Sequence, residues 1–109
     1  MKKLSPWDLR ESLTLLILQK ISDDEGGWRE DWQRGPRLWG YLWPIFKAGP
    51  TEHQPHYRLV IRAGVNLPRE VGFLWHLQET SKRLIAITPP TPIQFNKFLC
   101  MLTREEHHA

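Results

Sequence analysis

With 109 residues, 40% of them hydrophobic and 25% charged, the chain is long enough for one domain (residues 1–109) around a single modest core. Its net charge of +3 is scattered, with no block of five or six like charges, so no arm for nucleic acid stands out. No apolar run approaches the roughly 20 residues of a membrane helix, and no apolar h-region follows the basic start, so neither a membrane span nor a signal peptide is expected. The one cysteine, Cys100, cannot form an internal disulfide and fits a reducing compartment. The anomaly is six tryptophans in so small a protein. Tryptophan is enriched at interfaces, so some of these rings are expected to face a partner.

In chain order, residues 4–10 (LSPWDLR) suit one turn of helix, with Ser5 as cap, Pro6 at the first position and Asp8 three residues after the cap. An extended arm is the alternative, and in either case Trp7 packs on the end of a sheet or on a neighbouring subunit. Residues 12–21 alternate as a strand, with Leu13, Leu15, Ile17, Gln19 and Ile21 on one face; helix is the competitor, since leucine is a good helix former, and the short length and the turn that follows favour strand. Asp23-Asp24-Glu25-Gly26-Gly27 is turn chemistry, and residues 28–33 follow as a polar strand, making a hairpin. Arg34-Gly35-Pro36 is expected to break the chain before the next strand, residues 37–47. There Leu38, Gly40 and Leu42 suit the core by size, which sends Trp39, Tyr41 and Trp43 to the opposite side. Pro44 implies an interruption or an edge. Residues 47–56 form a polar loop of the sort that carries binding residues, here Glu52 and His53.

Residues 57–88 then hold three short runs, 57–63, 71–77 and 83–88, separated by turn chemistry. Period two in the first, with Tyr57, Leu59, Ile61 and Ala63 opposite Arg58, Val60 and Arg62, predicts a strand with one wet face. The connections are too short for crossover helices, so an antiparallel meander is expected. Pro89-Pro90-Thr91-Pro92 must lie outside any central ladder. Residues 94–104 close the chain as a last strand. The fold class is therefore all-β: a small antiparallel β-barrel or two-sheet sandwich with a short N-terminal helical turn.

Several of these patterns occur in one order. A hydrophobic strand ends in Gln19-Lys20. The Gly26-Gly27 turn is followed by Trp32 and by Leu38-Trp39-Gly40-Tyr41-Leu42-Trp43-Pro44. Then come a polar loop, Tyr57-Arg58-Leu59-Val60-Ile61-Arg62, Gly64-Val65, Arg83-Leu84-Ile85-Ala86-Ile87 and a C-terminal strand with Cys100. This ordered set resembles the phage head–tail joining family, the head-closure or stopper proteins of long-tailed phages, prophages and gene transfer agents. The likeness runs from about Leu13 to Arg104, and the loop after Pro44 is shorter than is typical of the family.

The resemblance implies a structural role without chemistry or cofactor. Copies of the chain would form a ring below the portal and adaptor proteins, at the head–tail interface of a virion or phage-like particle assembled in the bacterial cytoplasm. That ring would retain packaged double-stranded DNA without sequence specificity and offer a platform to a tail terminator or tail tube. A ring needs heterologous contacts, in which one patch meets a different patch on the next subunit. Partner-binding candidates are Trp7, Trp39, Tyr41, Trp43, Glu52 and His53; candidates for facing DNA or the ring's lumen are Arg58, Arg62, Lys82 and Arg83.

Catalytic and metal chemistry find little footing. His53 and His56 in the loop and His107-His108 in the tail match none of the usual zinc spacings. Cys100 lies mid-strand among apolar neighbours, where a cysteine is a small hydrophobe. Asp23, Asp24 and Glu25 lack the spaced oxygen ligands of a calcium loop, and no phosphate-binding glycine loop is present. The competing function is a nucleic-acid-binding barrel, with Arg58, Arg62 and Lys82 or Arg83 tracking phosphates beside stacking tryptophans.

Overall fold

The computed structural model describes residues 3–45 and 55–106. A 3-10 turn, Pro6–Asp8, precedes strands β1 (Glu11–Ser22), β2 (Trp28–Ile45), β3 (His56–Arg62), β4 (Val71–His76), β5 (Ser81–Ala86), β6 (Thr91–Ile93) and β7 (Phe98–Glu106). Every ladder is antiparallel. The strand order is β3-β2-β1-β4-β5-β7, and β3 pairs back onto β7. Six strands thus close into a barrel, which removes the open edges that a flat sheet would expose. Short β6 continues along β7 beyond β5, with Pro92 on its outer edge.

The interior follows from alternation. Leu13 and Leu15 from β1, Leu59 and Ile61 from β3, Phe73 from β4, Leu84 from β5 and Met101 from β7 make one sealed core. Burying side chains of this size stabilises the fold by about 1.5–3 kcal/mol each before conformational entropy is set against it. Gly40 is required where β2 crosses this core. A Cβ there would lie 2.7 Å from Leu13 Cδ1 and 3.0 Å from Leu59 Cδ1.

Four expectations are corrected. First, residues 57–88 are not a meander. β3 pairs with β2 and β7, whereas β4 pairs with β1 and β5, because the chain between Arg62 and Val71 crosses an end of the barrel instead of turning back beside itself. Within this stretch only β4–β5 is a hairpin. Second, Arg34-Gly35-Pro36 does not end a strand. Thr14 faces Arg37 and Leu16 faces Arg34, so Gly35 and Pro36 together oppose Leu15 as a β-bulge. A bulge accommodates a proline that cannot donate to the ladder, and β2 continues through it. Third, the outer face of β3 is not uniformly wet, since Val60 is fully buried beneath other parts of the chain. Fourth, the last strand begins at Phe98 rather than Gln94, because Gln94, Phe95 and Asn96 take left-handed backbone angles (φ 49°, 58° and 62°) and turn the chain from β6 into β7.

Other readings hold. The Asp23–Gly27 turn has Gly26 at φ 85°, and Asp23 Oδ1 accepts hydrogen bonds from the backbone N–H groups of Gly27 at 2.7 Å and Glu25 at 3.1 Å. Pro44 lies beyond the last β1 partner of β2, so it is paired with β3 alone.

Candidate docking surface

The bulge has a consequence for side-chain direction. An extra residue in a strand reverses the parity of everything after it. Before the bulge, Trp28 and Trp32 stand opposite Ser22 and Leu18, on the outward parity of β1; after it, Trp39 stands opposite Ser12, again outward. Trp28, Trp32, Trp39, Tyr41 and Trp43 therefore share the outer face of a single 18-residue strand. Without the bulge, the tryptophans on either side of it would point to opposite faces.

This stripe is covered unevenly. Tyr41 and Trp43 are half-buried, with ring centroids 5.0 Å apart, in a second apolar cluster built on Leu4, Leu9, Val60 and Phe98. Leu4 and Leu9 flank the 3-10 turn, so the N-terminal arm lies across the outside of β2, β3 and β7. The arm is pinned locally: Asp8 Oδ2 accepts from the Ser5 backbone N–H at 2.8 Å, and Arg10 Nε donates to the Trp7 carbonyl at 3.0 Å. Beyond the arm Trp32 is half-buried beside Gly72 of β4, and the remaining rings are wet. Trp39 is 61% exposed, Trp28 71% and Trp7, on the arm itself, 75%.

At Trp28 the strand has left the barrel. β1 pairs with β4 only as far as Ile17, and β2 pairs with β3 only from Gly40 on. Residues 18–22 and 28–32 therefore form a two-stranded ribbon bonded only to itself within the described ladders. Two isolated strands are marginally stable at best in water, so such a ribbon gains from a surface to lie against.

The basic candidates separate. Arg58 stands beside Trp43 on the outer face, its guanidinium 5.8 Å from the ring centroid, and so joins the aromatic patch. Arg62 is exposed at the far end of β3. It shares a surface groove of about 610 Å³ with Lys3, Leu4, Pro6, Lys97 and Phe98. Arg83 lies half-buried on the outside of β5, where its Nε is buried and has no hydrogen-bond partner among the described residues. Lys82 turns into the end of the barrel, with Nζ 3.6 Å from Glu105 Oε2 and 5.8 Å from the Trp75 ring centroid. Tyr57 and Trp75 meet edge to face there, and Trp75 Nε1 donates to Glu11 Oε2 at 3.1 Å. Burial raises the Tyr57 phenol above its usual range; Lys82 opposes this, while the charge and hydrogen bond of Glu105 add to it. Glu52 and His53, and with them His107-His108, lie outside the described residues.

Cys100 sits half-buried against the outer cluster, and burial raises its thiol pKa despite the opposing charge of Arg58. Among the described residues, no three His, Cys, Asp or Glu side chains gather to hold a metal ion.

Sequence reasoning missed Trp28 and Trp32 as parts of the same face as Trp39, and it missed Leu4 and Leu9 as a cover. The available signal was Gly35-Pro36, which can mark a bulge as well as a break. Phe95, 95% exposed at the left-handed turn, and the cations Lys3 and Lys97 beside the groove were also unrecognised.

No family model matches the chain, and no curated protein matches it. Among solved structures, it is similar to protein SF1141 from Shigella flexneri 2a, with a TM-score of 0.72 and 21% identity over 94% of this chain and 96% of that one. It is also similar to a chain from the virion of a native gene transfer agent particle, with a TM-score of 0.56 and 23% identity over 92% of this chain and 98% of that one. At such identities the likeness establishes a shared fold: nearly the whole chain has the barrel of these two proteins.

Proposed function

We propose that this protein is a structural component of a phage-like particle: the head-closure, or stopper, ring at the head–tail junction. In this reading copies of the chain assemble below the portal and adaptor, retain the packaged DNA, and present a platform to the tail. The role involves no catalysis and needs no cofactor. The observation that carries it is the long outward aromatic face of β2, too large and too exposed at Trp28 and Trp39 for a solitary small barrel. The ordered sequence resemblance supports the specific role, and the likeness to a gene transfer agent virion chain supports a place in a particle.

The reading is tested by complementing a null particle. Interfaces concentrate their energy in aromatic anchors, where truncation typically costs about 2 kcal/mol or more. Trp39→Ala removes a ring the monomer barely uses, so the purified variant should melt like the parent. In the particle it should give DNA-filled heads without tails, or heads that leak. A null strain that makes normal tailed particles refutes head closure. Full complementation by Trp39→Ala, in a strain where the null fails, removes this patch as the docking surface.

A further inference from the structure

The β1–β2 ribbon and the groove beside β7 are complementary, and they are different patches of the chain. The groove is lined by the arm, the end of β3 and the start of β7, and the ribbon is the part of β1 and β2 that pairs with neither β3 nor β4. Residues 20–31 of the ribbon and its tip carry Asp23, Asp24, Glu25, Glu30 and Asp31 against only Lys20 and Arg29. All five acids are exposed, and Trp28 stands beside them. The groove carries Lys3, Arg62 and Lys97 and no acid on its walls, and Leu4, Pro6 and Phe98 give it an apolar part. Phe95, almost wholly exposed, projects from the turn immediately before Asn96 and Lys97. An acidic projection tipped with an aromatic ring thus has its counterpart in a basic recess with an apolar part.

We propose that the ribbon of one copy docks in the groove of the next, with Trp28 set against Phe95 and the apolar part of the groove and the tip acids facing Lys3, Arg62 and Lys97. The occupant is a second copy of this chain. Because donor and acceptor are different patches, the contact is heterologous and propagates from subunit to subunit. It also supplies the ribbon with a surface that no described ladder beyond its own provides. This inference rests on the ring reading above and names the contact that would build the ring.

Cross-linking tests it on the full chain. Glu25→Cys and Lys97→Cys are combined in a Cys100→Ser background, and the concentrated protein is oxidised mildly. A ladder of dimers, trimers and larger species, collapsed by reductant, is expected, since every subunit offers both ends of the contact. Either cysteine alone should stop at dimers. Asp24→Lys or Arg62→Glu in the double-cysteine chain should each slow the ladder about tenfold, and the two together should restore it. A double-cysteine chain that stops at dimers, or charge reversals whose effects add instead of cancelling, overturns the contact.

The same variants separate this inference from the closure reading. If the chain is found at the head–tail junction of particles but gives no ladder there, the ribbon–groove contact falls and head closure stands. If the ladder forms in solution but the chain is absent from particles, the contact stands and head closure falls.

Discussion

The two faces of the barrel wall are built from alternate residues of the same strands, yet they differ in kind. Inward, Leu13, Leu59, Phe73 and Leu84 are fully buried in a core to which six strands contribute or pack. Outward, Val60, Phe98, Tyr41 and Trp43 form a smaller cluster that depends on two leucines of an eight-residue arm segment, residues 3–10, for its cover. Closure of the barrel, with Val65 and Leu67 of the β3–β4 crossing packed against the core, seals the inner face. The outer cluster is sealed only where the chain folds a piece of itself back, and past that piece the same stripe runs on into solvent at Trp39 and Trp28. Apolar parity by itself does not distinguish a core from an interface; what matters is whether the chain has anything left to lay over it.

The sharpest way to break the comparison is to exchange the faces' tolerance for charge. Leu42→Asp puts a carboxylate on a half-buried side chain packed against the inner core, where an unpaired charge is strongly destabilising. The variant should lack a cooperative melt and lose its near-ultraviolet circular dichroism. Phe73→Ala, milder, should cost about 3–5 kcal/mol by urea titration. An inner-face variant that melts like the parent would mean the inner and outer assignments are reversed.

Removing the cover comes next. Leu9→Ala should cost about 2–3 kcal/mol, at the lower end for a buried leucine because the site lies at the surface. It should also expose Trp43, shifting tryptophan emission to longer wavelength, while the barrel stays closed by circular dichroism. If the emission is unchanged, the arm does not shield the aromatic cluster in solution.

The smallest effect concerns pH and belongs to the inner face. Tyr57 ionises at a higher pH in the folded barrel than its usual 10.0, chiefly through burial. The folded state therefore holds its proton longer than the unfolded chain does. The corresponding stabilisation is complete below the unfolded pKa and is lost as the pH rises through the folded one. Urea midpoints should thus fall at alkaline pH, above about pH 10, and Tyr57→Phe should flatten that slope. An unchanged slope in Tyr57→Phe would assign the alkaline loss to other groups.

Much of this was determined by the sequence itself. Alternation in residues 12–21 and 57–63, the glycine-rich turn after Asp23 and the Pro6 helical turn depend on neighbours within a few positions, so local physics decides them. The choice of Leu38, Gly40 and Leu42 for the core was likewise decided by size, and Gly40, pressed between Leu13 and Leu59, bears it out. Tertiary structure decided what depends on distant partners. Whether β3 pairs with β4 or with β7 depends on closing the barrel. Whether Gly35-Pro36 is a break or a bulge depends on Leu15 standing opposite. Lys82 reads on the strand as one more basic residue for DNA, but it shares the inward parity of Leu84, and the closing of β5 on β7 brings Glu105 to meet it as half of an ion pair. The extent of the aromatic face followed from the bulge, because a single extra residue changes the direction of every side chain after it, and no local pattern records which strand will be there to hold it.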